Sequence, residues 1–237
     1  MSDKRTAELH RKMKSAGDPA DAAAQKAYHK SPLKFHGLKA DVQRAILREV
    51  FPKKPAIPRA ELEPVIRELW TSDWFDERIA ALSLLDRIAG ELEVGDLPWI
   101  KEMASLCDGW ALLDTLAFTA LGPMGMRLGE PVYRVVRKWS DDDWMWTRRA
   151  AILIHALPAR RGMLNHEYSW PTWEERLFEK EFFIRKAIGW ALRESCKHYP
   201  REVCDFLLRV GDRASGLTRR EGARTLPEKM RIRILGK

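Results

Sequence analysis

Aromatic residues recur along this chain at an interval of 36 or 37 residues: Trp74, Trp110, Trp146 and Phe183. Each heads a similar segment, WFDERIAAL (74–82), WALLDTLAF (110–118), WTRRAAILI (146–154) and FIRKAIGWA (183–191). A period in the thirties filled by two helices marks a stack of helical repeats, because one helical pair cannot bury its own apolar face and needs a neighbour. The spacing therefore predicts an all-α, single-domain solenoid of antiparallel helical pairs spanning residues 1–237. Equivalent positions of the inner helices in such a stack line one concave surface. Counting three or four places from each aromatic puts Arg78, Asp114, Arg149 and Lys186 in equivalent positions. Coincidence in a chain with ten tryptophans is the competing reading of the interval.

Local signals agree with helices throughout. Asp73 is placed to cap a helix ending near Gly90, with Trp74, Ile79, Leu82, Leu85 and Ile88 as its apolar stripe. Asp96 with Pro98 opens another, and Asp108 precedes one over 110–121. Pro131 starts a helix over 132–139. The acidic run 141–143 suits the start of a helix that Pro158 should end. Pro171 and Pro200 read as further helix starts, with 182–198 helical in between. About a dozen helices result, and no Pro/Ser-rich linker divides them.

The net charge of +8 is unevenly placed. Residues 1–184 hold 28 basic and 28 acidic side chains, which cancel; residues 185–237 hold 14 basic and 6 acidic, the whole excess. A basic segment attracts polyanions, of which nucleic acid is the commonest in a cytosol. Residues 227–237 read as a basic tail. No apolar run approaches membrane-spanning length, and the charged N-terminus has no signal core. Three cysteines, Cys107, Cys196 and Cys204, make no disulfide framework and fit a reducing, cytoplasmic setting.

Asp114 is out of place in WALLDTLAFTAL, where almost every neighbour is apolar. A carboxylate there is costly unless it is paired or faces a cleft. A structural ion pair, with Arg149 as the natural partner in the repeat register, and a functional acid both fit. Trp110 lies four residues earlier, on the same helix face one turn away. Indole beside carboxylate suits a cationic ligand. Trp190 is followed by Arg193 at the next turn. Most of the ten tryptophans, including Trp70, Trp99 and Trp139, read as packing residues. The histidines show no metal-ligand spacing, there is no CxxC pair, and no metal or cofactor is expected. Gly122, Gly125 and Gly129 lack the Lys-Ser/Thr of a phosphate loop, GxSxG is absent, and Cys107 reads as a core filler.

At these residues the sequence resembles the AlkD-type DNA glycosylases of the DNA alkylation repair family. The matching stretches are KAYHKSPLKFHGL (26–38), IRELW (66–70), the GWALLDT region (109–115), WTRRAAIL (146–153) and above all FFIRKAIGWALRE (182–194). The likeness runs from about residue 20 to residue 225. It implies a solenoid of HEAT-like pairs with a concave basic groove, and excision of N3- and N7-alkylated purines from double-stranded DNA by a cytoplasmic, nucleoid-associated bacterial-type monomer. It puts the catalytic aspartate at Asp114 and the lesion- and deoxyribose-contacting aromatics at Trp110, Trp190 and Tyr28. Arg149 and Arg193 become DNA backbone contacts, with Lys186 as a helper. Departures lie at Ala111 and Leu112 and over 158–171, on the expected rim of the cleft.

An alkylated purine of this kind already carries a positive charge and leaves as a neutral base, so its departure needs no general acid. One carboxylate can both stabilise the oxocarbenium-like sugar and orient water, where ordinary glycosidases use two. The resemblance implies a lesion that stays stacked, unlike the flipped base of most glycosylases. No lysine near Asp114 supports a Schiff-base step. A non-catalytic HEAT-like DNA-binding protein for bent or branched duplex, and a protein–protein scaffold, remain as alternatives.

Overall fold

The computed structural model describes residues 2–236; Met1 and Lys237, the ends of the expected domain and tail, lie outside the described residues. In chain order the helices are α1 (Ser2–Ala16), α2 (Pro19–His29), α3 (Ala40–Val50), α4 (Arg59–Trp70), α5 (Phe75–Ile88), α6 (Leu97–Ser105) and α7 (Trp110–Leu116). A π-helical turn, Ala117–Leu121, leads into α8 (Gly122–Leu128), α9 (Glu130–Arg137), α10 (Met145–Leu153) and α11 (Ala156–Arg160). The chain ends with α12 (His166–Glu175), α13 (Phe182–Ser195), α14 (Pro200–Val210), α15 (Gly216–Gly222) and α16 (Glu228–Leu235). The fold is all-α and of the helical-repeat type, as the period predicts. β pairing among the described residues is confined to one parallel bridge, Lys34 with Trp74. The described residues group into two compact units: one of residues 2–91 with 106–115, the other of residues 92–105 with 116–236.

In the first unit α4 packs on α5, and α1 packs on both α3 and α4. Leu62, Val65, Ile66, Leu69 and Trp70 form the buried stripe of α4. Leu82, Leu85 and Ile88 of α5 are fully buried as expected, while Ile79 and Trp74 are only half-buried. Burying each such side chain contributes about 1.5–3 kcal/mol. The start of α5 differs from expectation. Asp73 does not cap it; Trp74 is the cap residue and makes no side-chain cap bond. Instead Phe75 N–H donates to the Lys34 carbonyl (2.8 Å) and Lys34 N–H donates to the Asp73 carbonyl (2.8 Å), so the Lys34–Trp74 bridge orients the first turn.

In the second unit α13 lies at the centre, packed against α10, α11 and α15. Its face of Ile184, Ile188, Ala191 and Leu192 is wholly buried. α13 and α15 approach closely because Gly189 is bare: a Cβ there would come 2.7 Å from Glu221 Cβ. Two proline expectations fail. Pro158 does not end a helix; α10 stops at Leu153 and Pro158 sits inside α11. Pro171 lies inside α12, which starts at His166 after the Asn165 cap. Pro158 is the third residue of its helix, where the missing N–H removes little, whereas Pro171 is the sixth residue of α12 and costs that helix one backbone bond. Much of the stretch expected as a basic tail, Glu228–Leu235, is helix α16, which packs on α14 and α15. Trp70, Trp99 and Trp139 are core residues as expected, and the three cysteines are free and buried.

Candidate active site

The residues singled out in sequence fall in both units, and each group has its own geometry. In the first unit Trp110 opens α7, and Asp114 follows one turn later on the same face. Both are half-buried. Tyr28, 69% exposed near the end of α2, meets Trp110 edge-on with centroids 5.7 Å apart. The expected carboxylate and two of its aromatics therefore occupy neighbouring positions, with π-rich surface beside an acid.

Sequence reasoning missed His29. Its ring stacks on Phe75 at 4.7 Å and on Phe35 at 5.8 Å, and is tilted against Trp110 at 5.4 Å. Burial holds its pKa below the usual histidine value, against the opposing pull of Asp76, so the neutral ring is favoured beneath Trp110. The signal was its place next to Tyr28; only the fold shows what it touches. Asp108, read as a helix-start residue, accepts from Ser31 Oγ at 3.3 Å and so ties the approach to α7 back to the segment after α2. The Cys107 thiol is pushed well up by burial and by the charge of Asp108, with a smaller contribution from Asp114, so it is no nucleophile.

In the second unit the other expected residues gather on and around α13. Lys186, Trp190 and Arg193 lie on one helix at spacings of four and three, which puts them on one face. Glu221 of α15, 7% exposed, pins the two cations: Lys186 Nζ donates to Oε2 at 2.6 Å and Arg193 donates to Oε1. Burial lowers the pKa of Lys186, and the positive charges of Arg193, Arg224 and Arg149 lower it further. Burial likewise lowers that of Arg193, with Arg224 and Arg160 adding to it. Cations gathered this closely form a site where an anion is welcome.

Trp190 is held on two sides. Its Nε1–H donates to Glu194 Oε1 at 2.6 Å, and its ring stacks on Phe118 at 5.1 Å with 8° between planes. Arg160 lies over the Phe118 ring at 4.8 Å and donates to Glu194 Oε2 at 2.8 Å. Burial alone would push the Glu194 carboxyl up. The bonds from Arg160 and Trp190 and the charges of Arg160 and Arg193 more than reverse this, leaving it below the ordinary value. The signal for Glu194 was its i,i+4 place after Trp190. Phe118 precedes Trp190 by 72 residues, twice the repeat interval. Glu221 carried no local signal.

Arg149 is 3% exposed, and its guanidinium donates to the Phe183 carbonyl at the head of α13 and lies 5.9 Å from that ring. Of the three expected backbone contacts, Lys186 and Arg193 have the side chains that reach solvent.

In the second unit α13 carries an indole flanked by cations, which suits an anionic ligand; in the first, α7 carries an acid one turn from an indole, which suits a cationic one. The chain matches the family model described as DNA alkylation repair enzyme over residues 9–226, and it belongs to that family. Membership points to DNA repair, with DNA as the partner. A solved structure described as a predicted DNA alkylation repair enzyme from Enterococcus faecalis superposes with a TM-score of 0.79 at 22% identity, covering 90% of this chain and 97% of that one. At that identity the likeness shows the fold. No curated protein matches the sequence. No helix among the described residues is long and apolar enough to cross a membrane.

Proposed function

We propose that the protein is a monofunctional DNA glycosylase for cationic N3- and N7-alkylated purines in duplex DNA. The observation that carries this reading is Asp114 one helical turn from Trp110, itself in ring contact with Tyr28. A positively charged nucleobase is drawn to indole and phenol faces by cation–π attraction. As the C1′–N bond lengthens, positive charge moves from the base to the sugar, and the Asp114 carboxylate stabilises that charge. Water oriented by the same carboxylate adds to C1′. The base leaves neutral with the bond's electron pair, and the water proton passes to Asp114 and then to solvent. The products are an abasic deoxyribose and the free alkylpurine.

Lys186 and Arg193, pinned by Glu221, hold phosphates and set the register. Trp190, fixed by Glu194 and Phe118, offers a rigid face to deoxyribose or base. Arg149 adds its charge from behind α13. Backbone-held DNA of this kind needs no flipped base, and the chain works as a single polypeptide without metal or cofactor in the chemical step.

The test is release of 7-methylguanine from methylated duplex. Asp114→Asn is expected to bind the duplex within about twofold of the parent and to lose at least about 10²-fold in release, the scale of one transition-state electrostatic contact. Undiminished release removes Asp114 from the chemistry. Absence of release by the parent chain, with salt-dependent duplex binding intact, selects the second reading. This is a non-catalytic DNA-binding protein, which the cation cluster on α13 would serve equally well.

A further inference from the structure

Outside that site, two histidines and a glutamate converge in the first unit. His10 comes from α1, His36 from the segment between α2 and α3, and Glu77 from the first turn of α5. His10 Nδ1 lies 2.5 Å and His36 Nε2 3.2 Å from the same oxygen, Glu77 Oε1. The three ligand atoms all fall within 4.8 Å of one another. We propose that this triad binds a divalent transition-metal ion of the zinc class and so ties α1 to α5.

Two imidazole nitrogens and one carboxylate oxygen are an established donor set for such ions, and a metal–ligand length of about 2.0–2.1 Å puts tetrahedral ligands about 3.3 Å apart. The separations, 2.5 and 3.2 Å to the shared oxygen and no more than 4.8 Å overall, reach that geometry with changes of about 0.1 to 1.5 Å. His10 and His36 each have a lone pair to offer at the nitrogen concerned once its proton is released.

The surroundings are built as a ligand shell is built. The His36 ring lies flat on Trp74, centroids 3.9 Å apart and planes within 1°. Its backbone N–H donates to Asp76 Oδ2 at 2.8 Å. Ser72 Oγ donates to the other Glu77 oxygen at 2.5 Å. Outer partners of this sort orient first ligands and raise affinity about 10–100-fold. His36 is 2% exposed by side chain, while His10 is 41% exposed and borders a cavity of about 340 Å³. Thr6, Glu68 and Ser72 also line this cavity, which gives an entry path and room for a water as the fourth ligand. Spacing along the chain concealed the triad, since its members are 26 and 41 residues apart.

The probe is Co²⁺, followed by Zn²⁺, added to the full chain without a polyhistidine tag after chelator treatment. The expected result is one equivalent of Co²⁺ bound, with the visible absorption of four-coordinate cobalt, displacement by Zn²⁺ and a rise in Tm that a chelator reverses. His10→Ala should weaken binding at least about tenfold, and His10→Gln, which keeps a polar side chain, should do the same. If the parent shows neither cobalt absorption nor a Tm rise, the triad is a hydrogen-bonded cluster only and the proposal fails. If cobalt binding is undiminished in both variants, the ion sits elsewhere and the proposal fails again. Neither readout depends on glycosylase activity.

Discussion

Glu221 is the buried carboxylate on which the basic face of α13 depends, and Glu221→Gln tests that dependence. Glutamine keeps the shape and one acceptor oxygen, but it presents an amide donor to whichever cation had used the other. A hydrogen bond to a charged partner contributes about 1.5–3 kcal/mol, against about 0.5–1.5 kcal/mol for a neutral one. Losing one bond and weakening the second costs about 2.5–4.5 kcal/mol before solvent is considered. The side chains of Lys186 and Arg193 remain partly open to water. The displaced cation can rehydrate, which brings the loss to about 1–2 kcal/mol. For a chain of this length each kcal/mol moves Tm by about 2–4 °C, so calorimetry at neutral pH should show a drop of about 2–8 °C. The released cations should also steepen the log–log salt dependence of duplex binding by up to about one unit. A Tm within about 1 °C of the parent together with an unchanged salt slope would refute the pin.

Three further outcomes follow from the same cluster. Arg193→Ala should weaken binding to all duplex sequences alike and flatten the salt slope by about 0.9, read by titration at several salt concentrations. Glu194 has a lowered folded-state pKa, so its contribution is present above the unfolded value of about 4.3 and is lost as pH falls through the folded value. The destabilisation caused by Glu194→Gln should therefore be largest near pH 7 and vanish well below pH 4.3, measured by denaturant melts across that range. Gly189→Ala should destabilise by about 1–3 kcal/mol despite alanine's better helix propensity, because its Cβ would meet Glu221 Cβ at 2.7 Å; a gain in Tm would overturn the close-packing argument.

The recurrence of Trp74, Trp110, Trp146 and Phe183 determined the helical-repeat architecture, since a stack of like pairs must repeat its apolar side chains at the interval at which the pairs repeat. The face of α13 was equally legible, because residues three and four apart on a helix must share a side. Element ends were legible only in part. A capping residue such as Asp73 competes with backbone partners from afar, here the Lys34 segment, and a proline can sit inside a helix, as Pro158 and Pro171 do, rather than mark its end or start. What the sequence alone could not decide was which distant charges meet. The i,i+4 rule reaches Glu194 from Trp190, but no local rule reaches Glu221 from Lys186, or His10 from His36 and Glu77. Those pairings come from helix packing, whose approach distance is set by side-chain volume at sites such as Gly189. Tertiary structure alone therefore decided where the buried carboxylates sit and which cations they hold.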